Sequence, residues 1–422
     1  MYMKTRAVVV CGTVLLTVAQ SKAQLCVGWS ADPGGGTDES VWVAAILQGN
    51  LFISGEFSHA GGIPIDAIAK WSGSSWQPVG DLEDDLGVRD NAIYGLAEFG
   101  GDIYAAGAFD GSEADIARWD GQRWHRLGEG LSSFANGWGR AMVEYQDELV
   151  VGGDFEKAGP LWVDNIAAWN GSSWRILDGG TFWSGNSAGS VWALAEFEER
   201  LIAGGFFLEV AGVPARYVAA WDGADWSAMG SGLDEKVNTL AVHDGELYAG
   251  GEFRETGDGR QARGVARWDG HEWQPVGTRI SIGNGWVNRL ESYQGRLYAS
   301  GWFGDYQDEF QDIAVFDGVD WQPVGEGVSG GRRVSAMATF GTELIVGGEF
   351  THAGGIPSPN LARYRCVACP ADFNEDGAVN TQDIIVFLNA WVAGDPRADF
   401  NSDGVVNTID VLNFLNAWAA GC

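Results

Sequence analysis

Short apolar runs recur along this chain at a nearly constant interval. Seven of them close with a small residue, a glycine, a variable residue and a phenylalanine, and successive phenylalanines lie 46 to 52 residues apart: Phe57, Phe109, Phe155, Phe207, Phe253, Phe303 and Phe350. A period of this size is typical of repeat proteins whose units bury their apolar faces against one another. We therefore predict an array of seven similar units.

One unit, residues 237–277, contains four apolar runs joined by turn residues. Asp-Gly pairs at 244 and 269 separate runs of alternating apolar and polar positions, which predicts two β-hairpins. Four short strands in such a unit favour the blade of a β-propeller, with the first strand nearest to the axis. Proline lies in the fourth run at Pro78, Pro275 and Pro323, and proline is tolerated at a sheet edge. The fourth strand should therefore be outermost.

Tryptophan follows the same period. The fourth run of six units begins with Trp76, Trp124, Trp174, Trp226, Trp273 and Trp321, each five residues after another large aromatic residue. A large aromatic side chain at a repeated position is first of all a packing residue. We assign these indoles to contacts between blades.

The seventh unit stops after its third run, so one outer strand is missing. Gln24–Ser30 precedes the first blade and is the natural donor, because pairing the two ends of the chain would close the propeller. The predicted fold is therefore all-β, a seven-bladed propeller of four-stranded blades, followed by a small α-helical duplicated EF-hand-like domain.

The N-terminus has the features of a secretory signal peptide. Lys4 and Arg6 precede a short apolar run, and Ser21-Lys22-Ala23 offers a cleavage site. We predict a signal peptide at 1–23, the propeller at 24–368 and the helical domain at 369–422. The mature protein is expected outside the cytoplasm, secreted or at the cell surface, and no later apolar stretch is long enough to span a membrane.

Four cysteines remain after cleavage: Cys26, Cys366, Cys369 and Cys422. An even number in an oxidising compartment predicts disulfides. The closing strand would place Cys26 beside Cys366, which leaves Cys369 to pair with Cys422. A Cys366–Cys369 bridge is the alternative.

Charge excludes one class of partner. The chain has 57 acidic and 26 basic residues and a net charge of −31. Phosphate recognition depends on lysine and arginine, so we expect no nucleic-acid partner. An acidic surface serves solubility and favours divalent cations. We expect the propeller to be monomeric.

The repeats, with their WDGxxWxPVG and LYAGGxF segments, resemble the kelch-type and galactose-oxidase-like propeller superfamily and secreted bacterial repeats. This resemblance covers about Gln24–Cys366 and implies the fold. The copper-radical oxidases of that superfamily use a cysteine cross-linked to a tyrosine, and no cysteine lies between Cys26 and Cys366. We expect neither copper nor a nucleotide.

The tail contains two copies of a motif with explicit metal chemistry. Oxygen-bearing residues follow the spacing of an EF-hand calcium loop, with glycine at the turn and a backbone carbonyl at the seventh position. The first copy consists of Asp372, Asn374, Asp376, Ala378, Asn380 and Asp383, and the second of Asp399, Asn401, Asp403, Val405, Asn407 and Asp410. We predict two Ca²⁺ sites.

Apolar residues at helical spacing follow each loop, which predicts helices over Gln382–Val392 and Ile409–Ala419. A duplicated loop and helix ending in aspartate resembles a type I dockerin, and the CPADFNEDG opening with the terminal Gly421-Cys422 resembles the terminal modules of planctomycete-type exported proteins. The resemblance implies a cohesin-like or surface-anchoring partner. It places partner contacts at Thr381, Gln382, Leu388, Asn389, Thr408, Ile409, Leu415 and Asn416.

The strand order places the long, varied loops on one face of the propeller, and function is expected on that face. Trp138 and Trp286 precede the innermost strands of two blades, and Trp162 and Trp183 lie in long loops. Such side chains suit stacking on sugar rings. We therefore favour a non-catalytic binding or scaffold protein with a possible polysaccharide ligand.

The alternative function is a polysaccharide-degrading enzyme, a glycoside hydrolase or lyase that carries a dockerin tag. Cleavage of glycosidic bonds needs a pair of carboxylates. Acidic residues cluster in two loops, at Asp81, Glu83, Asp84 and Asp85, and at Asp305, Asp308 and Glu309. No motif distinguishes a catalytic pair among them, so no catalytic residue is assigned.

Overall fold

The computed structural model describes residues 24–65, 67–86, 89–110, 115–133, 137–177, 182–184, 187–278, 280, 285–303, 311–368, 371, 373–374, 381–401 and 403–420. The chain divides into two compact units, of which one is Val27–Cys366 and the other contains the segment from Val367 onward.

Among the described residues, the larger unit contains seven four-stranded sheets with a repeated arrangement, here called blades. In six of them the strands follow one another in sequence from one edge to the other. The first three are Val41–Leu47, Asn50–Gly55, Ile68–Trp71 and Trp76–Pro78; Arg89–Phe99, Asp102–Asp110, Ile116–Trp119 and Trp124–Arg126; and Trp138–Tyr145, Glu148–Asp154, Ile166–Trp169 and Trp174–Arg175. The next three are Ser190–Phe197, Arg200–Phe206, Val218–Trp221 and Trp226–Ala228; Val237–His243, Glu246–Gly251, Val265–Trp268 and Trp273–Pro275; and Trp286–Tyr293, Arg296–Trp302, Ile313–Phe316 and Trp321–Pro323. The seventh is Arg333–Phe340, Glu343–Glu349, Leu361–Ala368 and, from the start of the chain, Gln24–Ala31.

The first strands of the blades form a closed circle. Each contacts the first strands of the two adjacent blades, and the seventh contacts the first. The first strands therefore line an axial channel, and the proline-containing fourth strands lie at the outer edges. This arrangement is a β-propeller.

Each junction between blades is filled by aromatic side chains. The ring of Trp119 lies 5.5 Å from that of Trp124, and the equivalent pairs in the other blades are similarly tilted. The indole N–H of Trp124 donates to the carbonyl of Val79 in the preceding blade, at 2.7 Å. Trp124 thus joins adjacent blades by burial and by a hydrogen bond. Trp321 does the same through the carbonyl of Val276, at 2.8 Å.

The closing strand reproduces this junction. The indole N–H of Trp29 donates to the carbonyl of Val324 in the sixth blade, at 3.0 Å. Trp29 therefore occupies, in the seventh blade, the place of the fourth-strand tryptophan. Cys26 and Cys366 lie on adjacent strands, Gln24–Ala31 and Leu361–Ala368, but the side chains of all four cysteines lie outside the described residues.

Asp32, just after the closing strand, holds the ends of the chain together. It forms a buried ion pair with Arg363, with 2.9 Å between Oδ1 and Nη2. Its Oδ2 accepts hydrogen bonds from the indole of Trp76, at 2.8 Å, and from the backbone of Gly34, at 3.0 Å. One carboxylate therefore connects the N-terminal segment to the seventh and first blades.

Shorter strands extend from the long loops. They form three small sheets and one hairpin: Leu131–Ser132, Lys157–Ala158 and Leu161–Trp162; Phe182–Ser184, Ser187–Ala188, Glu209–Val210 and Val213–Pro214; Val328–Ser329, His352–Ala353 and Ile356–Pro357; and His59–Ala60 with Ile63–Pro64. One short helix, α1 (Leu82–Leu86), precedes the second blade.

The smaller unit contains α2 (Thr381–Ala393), a 3₁₀ turn at Pro396–Ala398 and α3 (Thr408–Ala420). Its core is a pair of parallel rings, Phe387 and Phe414, with centroids 4.0 Å apart. Phe373 and Phe400 pack edge-on against them. The two halves of the sequence duplication thus contribute equivalent residues to one core.

In the part of the chain that the structure describes, no helix has the length and hydrophobicity needed to span a bilayer.

Candidate functional site

A β-bulge interrupts the first strand of every blade at the same position. A bulge adds a residue to one strand and turns its side chain away from the regular alternation. The residues at this position are here called the bulge residues: Trp42, Tyr94, Arg140, Trp192, Asn238, Asn288 and Ser335. They lie near the start of the innermost strands and therefore near the channel mouth on the long-loop face.

The repeated glycine of the sequence signature makes this bulge possible. Gly153 pairs with the first strand beside Arg140, and a Cβ on Gly153 would collide with the carbonyl oxygen of Trp138. The equivalent glycines of the other blades meet the same obstacle. The glycine therefore permits a close backbone approach, and the phenylalanine that ends the signature is buried in the core.

Stacked side chains follow the channel from the first blade to the fifth. Trp42 and Tyr94 are nearly parallel, with centroids 5.3 Å apart. The guanidinium of Arg140 lies 5.2 Å from the ring of Tyr94 and 5.2 Å from that of Trp192. The ammonium of Lys236 lies 5.5 Å from the same Trp192 ring. Aromatic faces and cations thus alternate around this side of the channel.

Carboxylates hold the two cations in place. Arg140 forms an ion pair with Asp154, which also accepts a hydrogen bond from the hydroxyl of Ser190 in the next blade. Lys236 lies 3.4 Å from Glu252. Because both cations are paired, the stacked side acts mainly as a surface for planar or apolar groups.

The other side of the channel is polar. Asn238 donates from Nδ2 to the carbonyl of Val287, at 3.0 Å, and Asn288 donates to that of Val334, at 3.4 Å. Among the described residues, the buried Oδ1 of Asn238 and the buried indole N–H groups of Trp42 and Trp192 have no hydrogen-bond partner. Buried polar atoms are normally paired, so these three unpaired atoms are exceptional.

Burial also changes the acid–base chemistry of the channel. It raises the pKa of Tyr94, so this phenol stays neutral. It lowers the pKa of Arg289 and raises that of Glu291, both on the first strand of the sixth blade, although hydrogen bonds from Thr339 partly oppose the change at Glu291. These two charged residues therefore lie within a low-dielectric environment.

The tryptophans predicted from sequence have different surroundings. Trp138 lies in the stacked series, 6.2 Å from Tyr94 and 5.3 Å from the Arg140 guanidinium. Trp286 packs edge-on against Trp302 of its own blade, at 4.9 Å. Trp162 is 54% exposed in a small sheet, where Lys157 covers its ring. The side chain of Trp183 lies outside the described residues.

Sequence reasoning missed Trp42, Tyr94, Arg140 and Trp192. A strict alternation of inward and outward positions assigns these residues to the interior of a blade junction, whereas the bulge places them at the channel. Comparing the seven repeats at the residue after the first apolar position would have revealed the series.

Two of the acidic residues considered for catalysis, Asp81 and Asp85, have structural partners. Asp81 accepts a hydrogen bond from the backbone of Asp84 at the start of α1, at 2.9 Å. Asp85 accepts one from the backbone of Trp124, at 2.8 Å. Asp305, Asp308 and Glu309 lie outside the described residues.

The second predicted calcium loop is described except for Ser402. Asp410 is buried, and its carboxylate accepts hydrogen bonds from the backbone of Asn401, at 3.2 Å, and of Asn407, at 2.7 Å. These bonds hold the pKa of Asp410 below its ordinary value. Asp399 accepts from the backbone of Gly404, at 2.8 Å. The backbone N–H groups of the loop thus donate hydrogen bonds to the loop's own carboxylate oxygens.

Of the predicted ligands in the first loop, only Asn374 and Asp383 are among the described residues. The backbone of Asn374 donates to Asp383 at 3.1 Å, as Asn401 does to Asp410. Asp372, Asp376, Ala378 and Asn380 lie outside them. In the ranges that the structure describes, no group of three or more His, Cys, Asp or Glu side chains converges on a common metal position. The loops would bind calcium through asparagine and carbonyl oxygens as well as carboxylates, a donor set that fits Ca²⁺.

The predicted partner residues of the smaller unit are all exposed on α2 and α3 or at their first turns: Thr381, Gln382, Leu388, Asn389, Thr408, Ile409, Leu415 and Asn416. Ile385 and Leu412, equivalent residues of the two helices, are 53% and 62% exposed. Each helix therefore presents apolar side chains to solvent.

A propeller family is among the known proteins that this chain resembles. A family described as a domain of unknown function (DUF5122) beta-propeller matches residues 343–365, which lie in the seventh blade. No curated protein matches the chain. The computationally designed Ika8 protein is similar at a TM-score of 0.48 and 13% identity, over 81% of this chain and 99% of that one. The WD40 beta propeller domain of Doa1 is similar at a TM-score of 0.48 and 11% identity, over 81% and 96% of the two chains.

The family match and the order of the sheets agree that the larger unit is a β-propeller.

Proposed function

We propose that this chain is a secreted, non-catalytic binding protein whose seven-bladed, kelch-like propeller holds a saccharide at the mouth of its axial channel. The observation that carries the proposal is the asymmetry of the bulge residues. One side of the channel offers stacked aromatic faces, and the other offers the amides of Asn238 and Asn288. Unpaired polar atoms occur on both sides. Sugars are bound by this combination, because their C–H faces stack on aromatic rings while their hydroxyls need directed hydrogen bonds.

The smaller unit would attach the propeller to a surface or an extracellular complex. Its support is the duplicated oxygen-rich loop, together with two helices that expose equivalent apolar side chains. In this proposal Ca²⁺ orders the loops and thereby orients α2 and α3, and a cohesin-like or anchoring protein binds the exposed residues. The module would then act as a dockerin.

A panel of plant and algal polysaccharides tests the binding function. Mature protein, residues 24–422, is passed over each immobilised polysaccharide, and soluble samples are assayed for newly formed reducing ends and unsaturated ends. We expect retention on at least one polysaccharide without release of ends. Release of ends would instead support the hydrolase or lyase, and a lack of retention on every polysaccharide would contradict saccharide binding.

A further inference from the structure

We propose that the channel wall formed by the sixth and seventh blades binds an anionic group, a carboxylate or a sulfate, carried by the ligand. The proposal rests on the proposed function insofar as the group belongs to a saccharide. A free inorganic anion has the same chemistry and is the other source. The two residues that carry the inference are Arg289 and Arg333.

Arg289 is exceptional for its position. It directly follows the bulge residue of the sixth blade, and the equivalent residues of the other blades are small or uncharged: Val43, Gly95, Ala141, Ala193, Thr239 and Ala336. Repeat packing therefore does not require arginine here. The sixth blade therefore has a long, cationic side chain at a position where the other blades have shorter, uncharged residues.

Arg289 is enclosed by protein and still reaches solvent. Its side chain is half-buried, and burial lowers its pKa. It lies on an innermost strand between two other innermost strands, opposite Ser300 of its own blade. In the described part of the chain, no acceptor lies within hydrogen-bond or ion-pair distance of its guanidinium.

Arg333 provides a second unpaired donor near by. It begins the first strand of the seventh blade, beside that of Arg289, and its buried Nε has no partner among the described residues. Its cross-strand neighbour Glu349 contacts Arg332 instead, at 4.0 Å. By contrast, Arg140 and Lys236 on the opposite side are matched by Asp154 and Glu252. Of these four described cations, the two without an ion pair thus lie on adjacent blades.

Glu291 is the acidic group closest in sequence to this wall. One of its oxygens, Oε1, accepts two hydrogen bonds from Thr339, at 3.0 Å and 2.8 Å. It attracts Arg289 electrostatically, but no ion pair joins them at bonding distance. The donors of Arg289 and Arg333, together with the free indole N–H of Trp42 in the next blade, therefore favour a ligand rich in acceptors. Donor-rich arginine is well suited to carboxylate and sulfate oxygens.

Calorimetric titration of the mature protein tests this site with three probes: a galacturonic acid tetramer, the same tetramer fully methyl-esterified, and sodium sulfate. The variants are Arg289→Gln and Arg333→Gln, and Arg332→Gln is the matched control because Arg332 is 81% exposed in its side chain. We expect the acid to bind more tightly than the ester. Arg289→Gln should weaken acid binding about tenfold, the scale of one charge-assisted contact, while Arg332→Gln changes little.

The outcomes separate the two proposals. Equal affinity for acid and ester, or an acid affinity unchanged in both Arg289→Gln and Arg333→Gln, overturns the anion site and leaves saccharide binding intact. If the wild type binds sulfate but neither tetramer, and Arg289→Gln no longer binds sulfate, the anion site is supported and its ligand is not a saccharide. If no probe binds in an arginine-dependent manner, the anion site is wrong. Arg333→Gln, at a half-buried strand end, keeps the test valid if Arg289→Gln fails to fold.

Discussion

Asp115 is a buried carboxylate at a position where another repeat uses an amide. Its Oδ1 accepts a hydrogen bond from the backbone of Phe109 at 2.9 Å, and its side chain is 6% exposed. In the third blade Asn165 makes the same bond to the backbone of Phe155, at 3.1 Å. Burial raises the pKa of Asp115 to about 7. The hydrogen bond therefore needs only an oxygen, and the negative charge is costly.

We predict that Asp115→Asn stabilises the propeller above pH 7. The unfolded chain releases this proton near the ordinary pKa of 3.8, whereas the folded protein holds it to about 7. The wild-type free energy of unfolding therefore falls as the pH rises between these values. A tenfold change in proton affinity corresponds to about 1.4 kcal/mol, so the loss is at most about 4 kcal/mol. Urea unfolding of both proteins at pH 5 and pH 8 measures the difference.

Asn165→Asp is the reciprocal control for this prediction. It places a carboxylate in the equivalent site of the third blade, so its stability should fall more at pH 8 than at pH 5. If wild type and Asp115→Asn show the same change in stability between the two pH values, the raised pKa of Asp115 is wrong.

Closure of the propeller depends on one short element and the residue that follows it. The strand Gln24–Ala31 completes the seventh blade, and Asp32 pairs with the buried Arg363. Removing the charge of Asp32 would leave Arg363 with Glu343, at 2.8 Å, as its only ion-pair partner among the described residues. We expect Asp32→Asn to lower the free energy of unfolding by about 3 kcal/mol, as when a buried ion pair loses one member.

A matched variant tests whether burial of the Asp32–Arg363 ion pair explains its contribution to stability. Asp102 pairs with Arg118 at 3.0 Å in the second blade, where both side chains are partly exposed. Asp102→Asn should cost less than about 1 kcal/mol, because exposed pairs contribute little. Urea unfolding at pH 7 compares the two variants, and an equal cost would show that Asp32 does not stabilise the closure.

The calcium loops and the helices that follow them form another testable element. Asp383 and Asp410 are buried carboxylates at the twelfth positions of their loops. We predict that chelation of Ca²⁺ lowers the helical circular dichroism of α2 and α3 while the near-ultraviolet spectrum of the propeller tryptophans persists. Calorimetry should find two Ca²⁺ sites in the wild type and a weakened site in Asp410→Asn.

Asp395→Asn is the control, because Asp395 lies between the loops and pairs with the exposed Arg397. It should leave both sites unchanged. Identical helical spectra with and without chelator, in the wild type, would contradict calcium-dependent folding of the smaller unit.

Strands and helices with a regular spacing of apolar residues were predictable from the sequence, whereas the bulges that interrupt this spacing were not. Alternating apolar positions and Asp-Gly turns predict the strands of each blade, and apolar residues at helical spacing predict α2 and α3. Trp42 and Arg140 lie at bulges, where the alternation of inward and outward side chains is interrupted. Each bulge depends on how closely the second strand approaches the first, and the sequence of the first strand alone does not show this. The partners of Asp32, which are Arg363 and Trp76, lie far from it in sequence, so no local pattern encodes these contacts.

At the scale of the whole molecule, charge is distributed unevenly. The chain has 57 acidic and 26 basic residues, yet Arg140, Lys236, Arg289 and Arg333 all lie on innermost strands or directly before one. Elsewhere the acidic surface favours solubility and weak calcium attraction. The channel is thus chemically distinct from the outer surface, and this difference is the main reason to place the ligand there.

The central claim is that ligand binds within the channel, on the stacked series, and not on outer loops. Calorimetric titration of wild type, Trp192→Ala and Trp162→Ala with an oligomer of the retained polysaccharide tests it most directly. Trp192 lies in the series between Arg140 and Lys236, whereas Trp162 is 54% exposed in a small outer sheet. We predict that Trp192→Ala weakens binding about tenfold, the scale of a stacking contact, and that Trp162→Ala has no effect, with unchanged melting temperatures. Weakened binding in Trp162→Ala with wild-type affinity in Trp192→Ala would contradict the claim.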